Sequence, residues 1–162
     1  MKHFVFALKN YTLAKGRMTR AAFWQFMIIN IFLYLIFLAL DDVTLLTRVF
    51  RLFSKIYVAI FLVPTYCSMI RRVHDAGITG KWVGLLLGIA GITNALVLIL
   101  FDSSIKSEIV DYHDIMECLV YTHIVSIIVL TILLSVSGIK GANKYGADPM
   151  EVIVDEVGGN AA

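Results

Sequence analysis

The chain has 162 residues, of which 59% are hydrophobic and only 16% are charged, and its mean hydropathy is +0.84. A soluble domain carries about 25% charged residues, so this composition excludes an ordinary soluble domain and indicates a membrane protein. The two cysteines, Cys67 and Cys118, lie inside apolar runs, which predicts neither a disulfide framework nor a cysteine metal pair.

Four segments are long and apolar enough to cross a bilayer, which requires about 20 residues of helix. They are residues 21–40, 52–70, 82–101 and 118–136. Backbone groups in lipid must bond internally, so each segment is expected to be a helix. The sequence therefore predicts an all-α, polytopic membrane protein, with a single membrane-embedded domain over residues 1–150 and a flexible cytoplasmic tail over residues 151–162.

The arm before the first span places Phe4, Leu8 and Tyr11 at helical spacing, with Lys2 and Lys9 beside them. This pattern predicts a short N-terminal interfacial helix that lies on the membrane surface. An ordinary juxtamembrane arm is the alternative.

The distribution of lysine and arginine sets the expected orientation. If all four segments span, ten of the fourteen basic residues lie on the side of the two termini. These ten are Lys2, Lys9, Lys15, Arg17, Arg20, Arg71, Arg72, Lys81, Lys140 and Lys144. Both termini are therefore expected in the cytoplasm.

Three polar clusters lie on this basic side, in the stretches "GRMTRAAFW", "RRVHDAGITGKW" and "NKYGADP". Two arginines three residues apart on a helix share a face and can both address a phosphate. The predicted ligand-binding or structural polar cluster comprises Arg17, Arg20, Arg71, Arg72, His74, Asp75, Asn143 and Tyr145.

These three motifs, in this order beside membrane spans, resemble the bacterial domain-of-unknown-function 805 family of small inner-membrane proteins. The resemblance covers the chain from about Phe4 to Pro149, and the middle motif is the most specific. It implies a multi-pass protein of the bacterial inner membrane and supplies no catalytic residue. One departure is that two apolar segments, rather than one, separate the middle and last motifs. The third segment, which contains several glycines and Asn94, is expected either to span or to form a re-entrant hairpin.

The polar cluster has a structural and a functional interpretation. Asp75 is expected to pair with an arginine of "GRMTR", which would tie two motifs together and leave another arginine for an anion. The arginines could instead only set topology and anchor lipid headgroups. His74 and Asp75 could form a general base, but adjacent residues point apart and no nucleophile is evident, so no catalytic residue and no metal site are predicted.

Two further sets of residues lie in the third and fourth spans. The glycines at four-residue intervals, Gly80, Gly84 and Gly88, are expected to allow close helix packing, within the chain or between protomers. The intramembrane polar residues are Asn94 and His123. An ionisable residue in a span indicates function by default, but a neutral histidine bonded to a neighbouring helix, through Asn94 or Tyr66, is the more common outcome.

The sequence therefore predicts a non-enzymatic membrane module that binds anionic lipid or a protein partner through its basic cytoplasmic face. Membrane lipids and a homo-oligomeric or membrane-protein partner are the expected partners, with no nucleic acid and no cofactor. The first alternative is a homo-oligomeric transporter or channel for a small solute or ion. The second is an enzyme acting on lipid phosphates, which would require His74.

Overall fold

A computed structural model describes residues 14–43, 47–101 and 112–150. Within these ranges the fold is all-helical, with four long helices and no β-strand. The predicted interfacial helix around residues 4–11 and the predicted flexible tail at 151–162 lie outside the described residues.

The four helices are α1 (Arg20–Val43), α2 (Thr47–Asp75), α3 (Lys81–Phe101) and α4 (Tyr112–Ser135). Each is long and apolar enough to cross a membrane, as the four predicted spans required. The third is one unbroken helix, so the hairpin alternative for that segment is wrong. The second continues through Pro64 and runs to Asp75, five residues beyond the predicted end of its span.

The chain divides into two compact units. Unit 1 comprises residues 1–79 and 137–162, and unit 2 comprises residues 80–136. Unit 1 therefore contains α1, α2 and the segment that follows α4, whereas unit 2 contains α3 and α4.

In unit 1, α1 packs against α2 through apolar residues and a polar contact between Asn30 and Tyr57. Phe23 and Phe26 of α1 are fully buried. Farther along α1, the side-chain amide of Asn30 donates to the carbonyl of Phe26 (2.8 Å). The hydroxyl of Tyr57, on α2, donates to Asn30 Oδ1 (2.9 Å). This inter-helix hydrogen bond satisfies polar groups that lipid could not satisfy.

In unit 2, α3 packs against α4 through small and aliphatic residues. Ala90, Thr93, Ser126 and Leu130 are buried. The hydroxyls of Thr93 and Ser126 donate to carbonyls of their own helices, so neither hydroxyl is left unsatisfied. Small residues at a membrane-helix interface allow the backbones to approach closely.

Candidate functional site

The C-terminus of α2 is closed by a glycine cap. Gly77 has φ +75°, its N–H donates to the His74 carbonyl (3.0 Å), and the Ile78 N–H donates to the Val73 carbonyl (2.9 Å). These two bonds form the Schellman motif, which satisfies the last carbonyls of a helix and requires a left-handed residue. The cap explains why α2 includes the start of the polar motif: the helix ends at Asp75, just before the capping Gly77, and not where the apolar residues end.

The segment before α1 lies against this end of α2. The Met18 N–H donates to the Arg71 carbonyl (3.0 Å), and the Gly16 carbonyl accepts from Nδ1 of His74 (3.3 Å). The Thr19 hydroxyl accepts from the Ala22 N–H (3.2 Å), as an N-cap residue does. The first two predicted motifs are thus held together by backbone and side-chain bonds.

A buried ionic network joins the two motifs, and we call its three members the arginine–aspartate network: Arg17, Arg72 and Asp75. Arg17 Nε donates to Asp75 Oδ1 (3.0 Å), and Arg72 Nη1 donates to Asp75 Oδ2 (2.6 Å). The side chains of Arg17 and Arg72 are 1% and 0% exposed, and that of Asp75 is 7% exposed. The predicted pairing of Asp75 with an arginine of "GRMTR" is confirmed, and that arginine is Arg17.

The segment after α4 completes the network with its backbone. Arg17 also donates to the carbonyls of Ile139 and Gly141, and the Ile139 N–H donates to the Asp75 carbonyl (2.9 Å). A Cβ added at Gly138 would lie 2.8 Å from Cγ of Asp75, so any larger residue here would require the carboxylate to shift. Sequence reasoning missed Gly138, because a single glycine between a span and a loop carries no specific signal.

The third motif forms a tight turn over His74. Asn143 and Gly146 exchange two backbone hydrogen bonds of 3.0 Å each, and the Asn143 side-chain amide donates to the His74 carbonyl (3.0 Å). The Tyr145 ring stacks on the His74 ring at a centroid distance of 3.8 Å and an interplanar angle of 6°. The structure therefore brings all three predicted motifs together in unit 1.

Asp148 is a second buried carboxylate that sequence reasoning missed. Its oxygens accept from the backbone N–H groups of Met150 (2.9 Å) and Gly141 (2.8 Å), and these bonds hold the pKa of Asp148 below its ordinary value. An aspartate directly before a proline in a glycine-rich stretch is typical of a turn, and that was the available signal.

An open cleft of about 350 Å³ lies in unit 1, between the start of α1 and the segment after α4. We call it the basic cleft; it is lined by Arg17, Thr19, Arg20, Ala21, Asp75, Gly138, Ile139, Lys140, Asp148 and Met150. Arg20 and Lys140 are exposed there. Arg20 thus does not join the arginine–aspartate network, and Lys140 was not among the predicted site residues.

Arg71 differs from the other predicted arginines. It is 3% exposed, yet its Nε and Nη2 atoms are buried and have no hydrogen-bond partner within the structure as described. The hydroxyl of Ser68, one helical turn earlier, is also buried without a partner. Buried polar groups are nearly always hydrogen-bonded, so three such atoms on one turn of helix are unusual.

The remaining predicted residues lie in unit 2. Nδ1 of His123 lies 3.2 Å from the Ala90 carbonyl, so the histidine is bonded to the neighbouring helix, with a backbone carbonyl in place of Asn94 or Tyr66. Asn94 is exposed.

The predicted packing glycines also lie in unit 2. Gly80 precedes α3, and the Gly84 N–H donates to the Gly80 carbonyl (3.3 Å). A Cβ at Gly88 would meet no described atom within 4 Å, so α4 does not pack closely against Gly88 within unit 2; contact between protomers stays a prediction.

His74 and Asp75 bond to different groups. The Asp75 carboxylate bonds to arginines, and His74 bonds through Nδ1 to a backbone carbonyl, so the pair is not arranged as a base with its orienting carboxylate. Among the described residues, no group of three or more His, Cys, Asp or Glu side chains is placed to hold a metal ion.

Four apolar helices of spanning length define this chain as an integral, multi-pass membrane protein. Residues 11–147 match the family described as "Protein of unknown function (DUF805)". The chain belongs to this family, which confirms the resemblance that the three motifs indicated. No curated protein and no solved structure matches the chain.

Proposed function

We propose that the protein is a non-enzymatic module of the bacterial inner membrane, with both termini cytoplasmic, that binds anionic phospholipid headgroups in the basic cleft. The observation that supports this most directly is that the basic residues differ in their environment. Arg17 and Arg72 form buried ion pairs with Asp75, whereas Arg20 and Lys140 are exposed at the cleft.

The charges around the cleft favour an anion. Four cations, Arg17, Arg20, Arg72 and Lys140, lie in or behind its wall, and they are opposed by Asp75 and Asp148. Both carboxylates are already engaged, Asp75 by two guanidinium groups and Asp148 by two backbone N–H groups. Because the four cations outnumber the two carboxylates, the net charge around the cleft favours an anion.

The helix that begins at the cleft adds to this potential. Thr19, Arg20 and Ala21 at the N-terminus of α1 line the cleft, and the first turn of α1 contains no acidic residue. The positive end of the helix dipole is thus not neutralised by its own sequence. Because α1 is a candidate membrane span that begins at Arg20, we expect this end at the level of the lipid headgroups.

Native mass spectrometry with defined lipids tests the proposal. The protein is released from uncharged maltoside micelles that contain either phosphatidylglycerol or phosphatidylcholine, beside the double variant Arg20→Gln/Lys140→Gln. A basic residue near an anionic surface contributes about 1 kcal/mol, so the variant should bind phosphatidylglycerol roughly 30-fold more weakly.

The matched control is Arg51→Gln/Lys55→Gln, which removes the same charge near the other end of α2. It should retain phosphatidylglycerol like the wild type. Equal retention by wild type and cleft variant would reject lipid binding at the cleft and favour the protein-partner alternative.

A further inference from the structure

The three buried arginines of unit 1 differ in their bonding partners. Arg17, Arg71 and Arg72 are 8%, 3% and 0% exposed, but only Arg17 and Arg72 bond to Asp75. Asp75 follows Arg71 by one helical turn and would be its natural partner. Both of its oxygens are taken, however, Oδ1 by Arg17 and Oδ2 by Arg72.

The two unpartnered nitrogens of Arg71 form one edge of its guanidinium group. Nε–H and one N–H of Nη2 point in the same direction, and this is the edge with which arginine binds two oxygens of a carboxylate or phosphate. Both atoms are buried without a partner within the structure as described. The unsatisfied donors are thus a matched pair, spaced for an oxyanion.

Ser68 supplies a third donor on the same face of α2. It precedes Arg71 by three residues, which places the two side chains on one side of the helix. It is 0% exposed and its hydroxyl has no partner among the described atoms. A carboxylate would have to share its two oxygens among three donors, whereas a tetrahedral oxyanion offers a third oxygen to the serine.

We propose that Ser68 and Arg71 form a binding site for one tetrahedral oxyanion, a phosphate or phosphodiester group, near the C-terminal end of α2. Arg71 lies four residues, or about 6 Å, before the end of this helix, which is also the end of a candidate membrane span. The site is separate from the basic cleft, whose lining includes neither residue, and does not rest on lipid binding there.

The enclosure of the site has two consequences. Electrostatic attraction is stronger where water is excluded, so one phosphate group should bind with little loss of affinity on adding salt. The donors are buried, so the protein must open locally to admit the anion, and binding should be slow. Both properties distinguish this site from the exposed cations of the cleft.

Thermal unfolding in uncharged maltoside micelles tests the proposal. A ligand that binds only the folded state raises the unfolding temperature. Inorganic phosphate should raise that of the wild type by a few degrees above chloride at the same ionic strength. Ser68→Ala should reduce the rise, and Arg71→Lys, which keeps the charge but lacks the two-donor edge, should abolish most of it.

Phosphatidylglycerol in the same micelles separates the two sources of phosphate. A rise with inorganic phosphate, lost in Arg71→Lys, identifies a free oxyanion as ligand; a rise only with the lipid, lost in the same variant, identifies a lipid phosphodiester. The control Arg20→Gln/Lys140→Gln alters the cleft and should keep the full response to inorganic phosphate. If that variant also loses lipid in mass spectrometry, the two sites are independent.

Two results would overturn the proposal. One is a wild type that responds to neither phosphate nor phosphatidylglycerol, in which case enclosed water satisfies the three donors. The other is a response that persists unchanged in both Arg71→Lys and Ser68→Ala. Ser68→Ala removes a single hydroxyl, so this variant keeps the test informative if substitutions of Arg71 impair folding.

Discussion

Each of the two units is stabilised internally by a different kind of interaction. Unit 1 buries five charged side chains, and every buried charge among the described residues lies there: Arg17, Arg71, Arg72, Asp75 and Asp148. Unit 2 buries apolar residues together with Thr93 and Ser126, and a polar bond between its two helices joins His123 to the Ala90 carbonyl. Pairing by charge fixes chain segments that have no regular structure, whereas apolar helices need only complementary surfaces.

The comparison also shows where specificity resides. In unit 1 the backbone of three separate segments meets within a few residues, and each contact depends on a particular side chain or on a glycine. In unit 2 the contacts repeat along two helices, so no single residue should be as critical. A change at the centre of the charged network should therefore cost more than any single change in unit 2.

The largest effect is expected from Asp75→Asn. The variant keeps the shape of the side chain but leaves Arg17 and Arg72 buried without their counter-ion, which should cost about 3–5 kcal/mol of stability. Thermal unfolding in detergent measures the loss. Glu117→Gln, at an exposed position of α4, is the control and should change stability by less than about 0.5 kcal/mol. Similar values for the two variants would refute the contrast between the units.

A pair of glycine substitutions sharpens the comparison. Gly138→Ala places a Cβ against the Asp75 carboxylate and should destabilise the protein by about 1–3 kcal/mol. Gly88→Ala on α3 meets no atom within 4 Å, and alanine favours helix by up to about 1 kcal/mol, so this variant should be neutral or more stable. Unfolding temperatures measured side by side check both. A destabilised Gly88→Ala would instead reveal close packing between protomers.

The smallest effect is a pH dependence that Asp148 confers on unit 1. Because its pKa is lowered in the folded protein, its contribution is fully present above the pKa of an unfolded aspartate, about 4, and is lost as the pH falls through the lower folded value. Asp148→Asn should lower the unfolding temperature at neutral pH, and the two curves should converge in acid. Parallel curves across this range would show that the carboxylate charge does not contribute.

Much of the architecture could be predicted from composition and the order of motifs. A run of about 20 apolar residues must form a helix in lipid, so residues 21–40 and the three other segments indicated the observed helices without any tertiary information. The pairing of Asp75 with "GRMTR" could also be predicted, because a carboxylate among four arginines has few other partners. Three polar motifs in a chain this apolar indicated where the unusual contacts would lie.

Which arginines bond to Asp75, and which one is left with unsatisfied donors, was decided only by the tertiary structure. Arg17, Arg71 and Arg72 have the same chemistry, and their positions alone do not separate them. The separation arises because the Ile139 and Gly141 carbonyls, contributed by a segment more than 120 residues away, reach Arg17 and complete its bonds. Each carboxylate oxygen of Asp75 accepts from one of the other two arginines, Arg17 or Arg72, and Arg71 is the one left with unsatisfied donors. Local sequence sets helices through backbone bonding, but the sharing of one counter-ion depends on which distant segments meet in space.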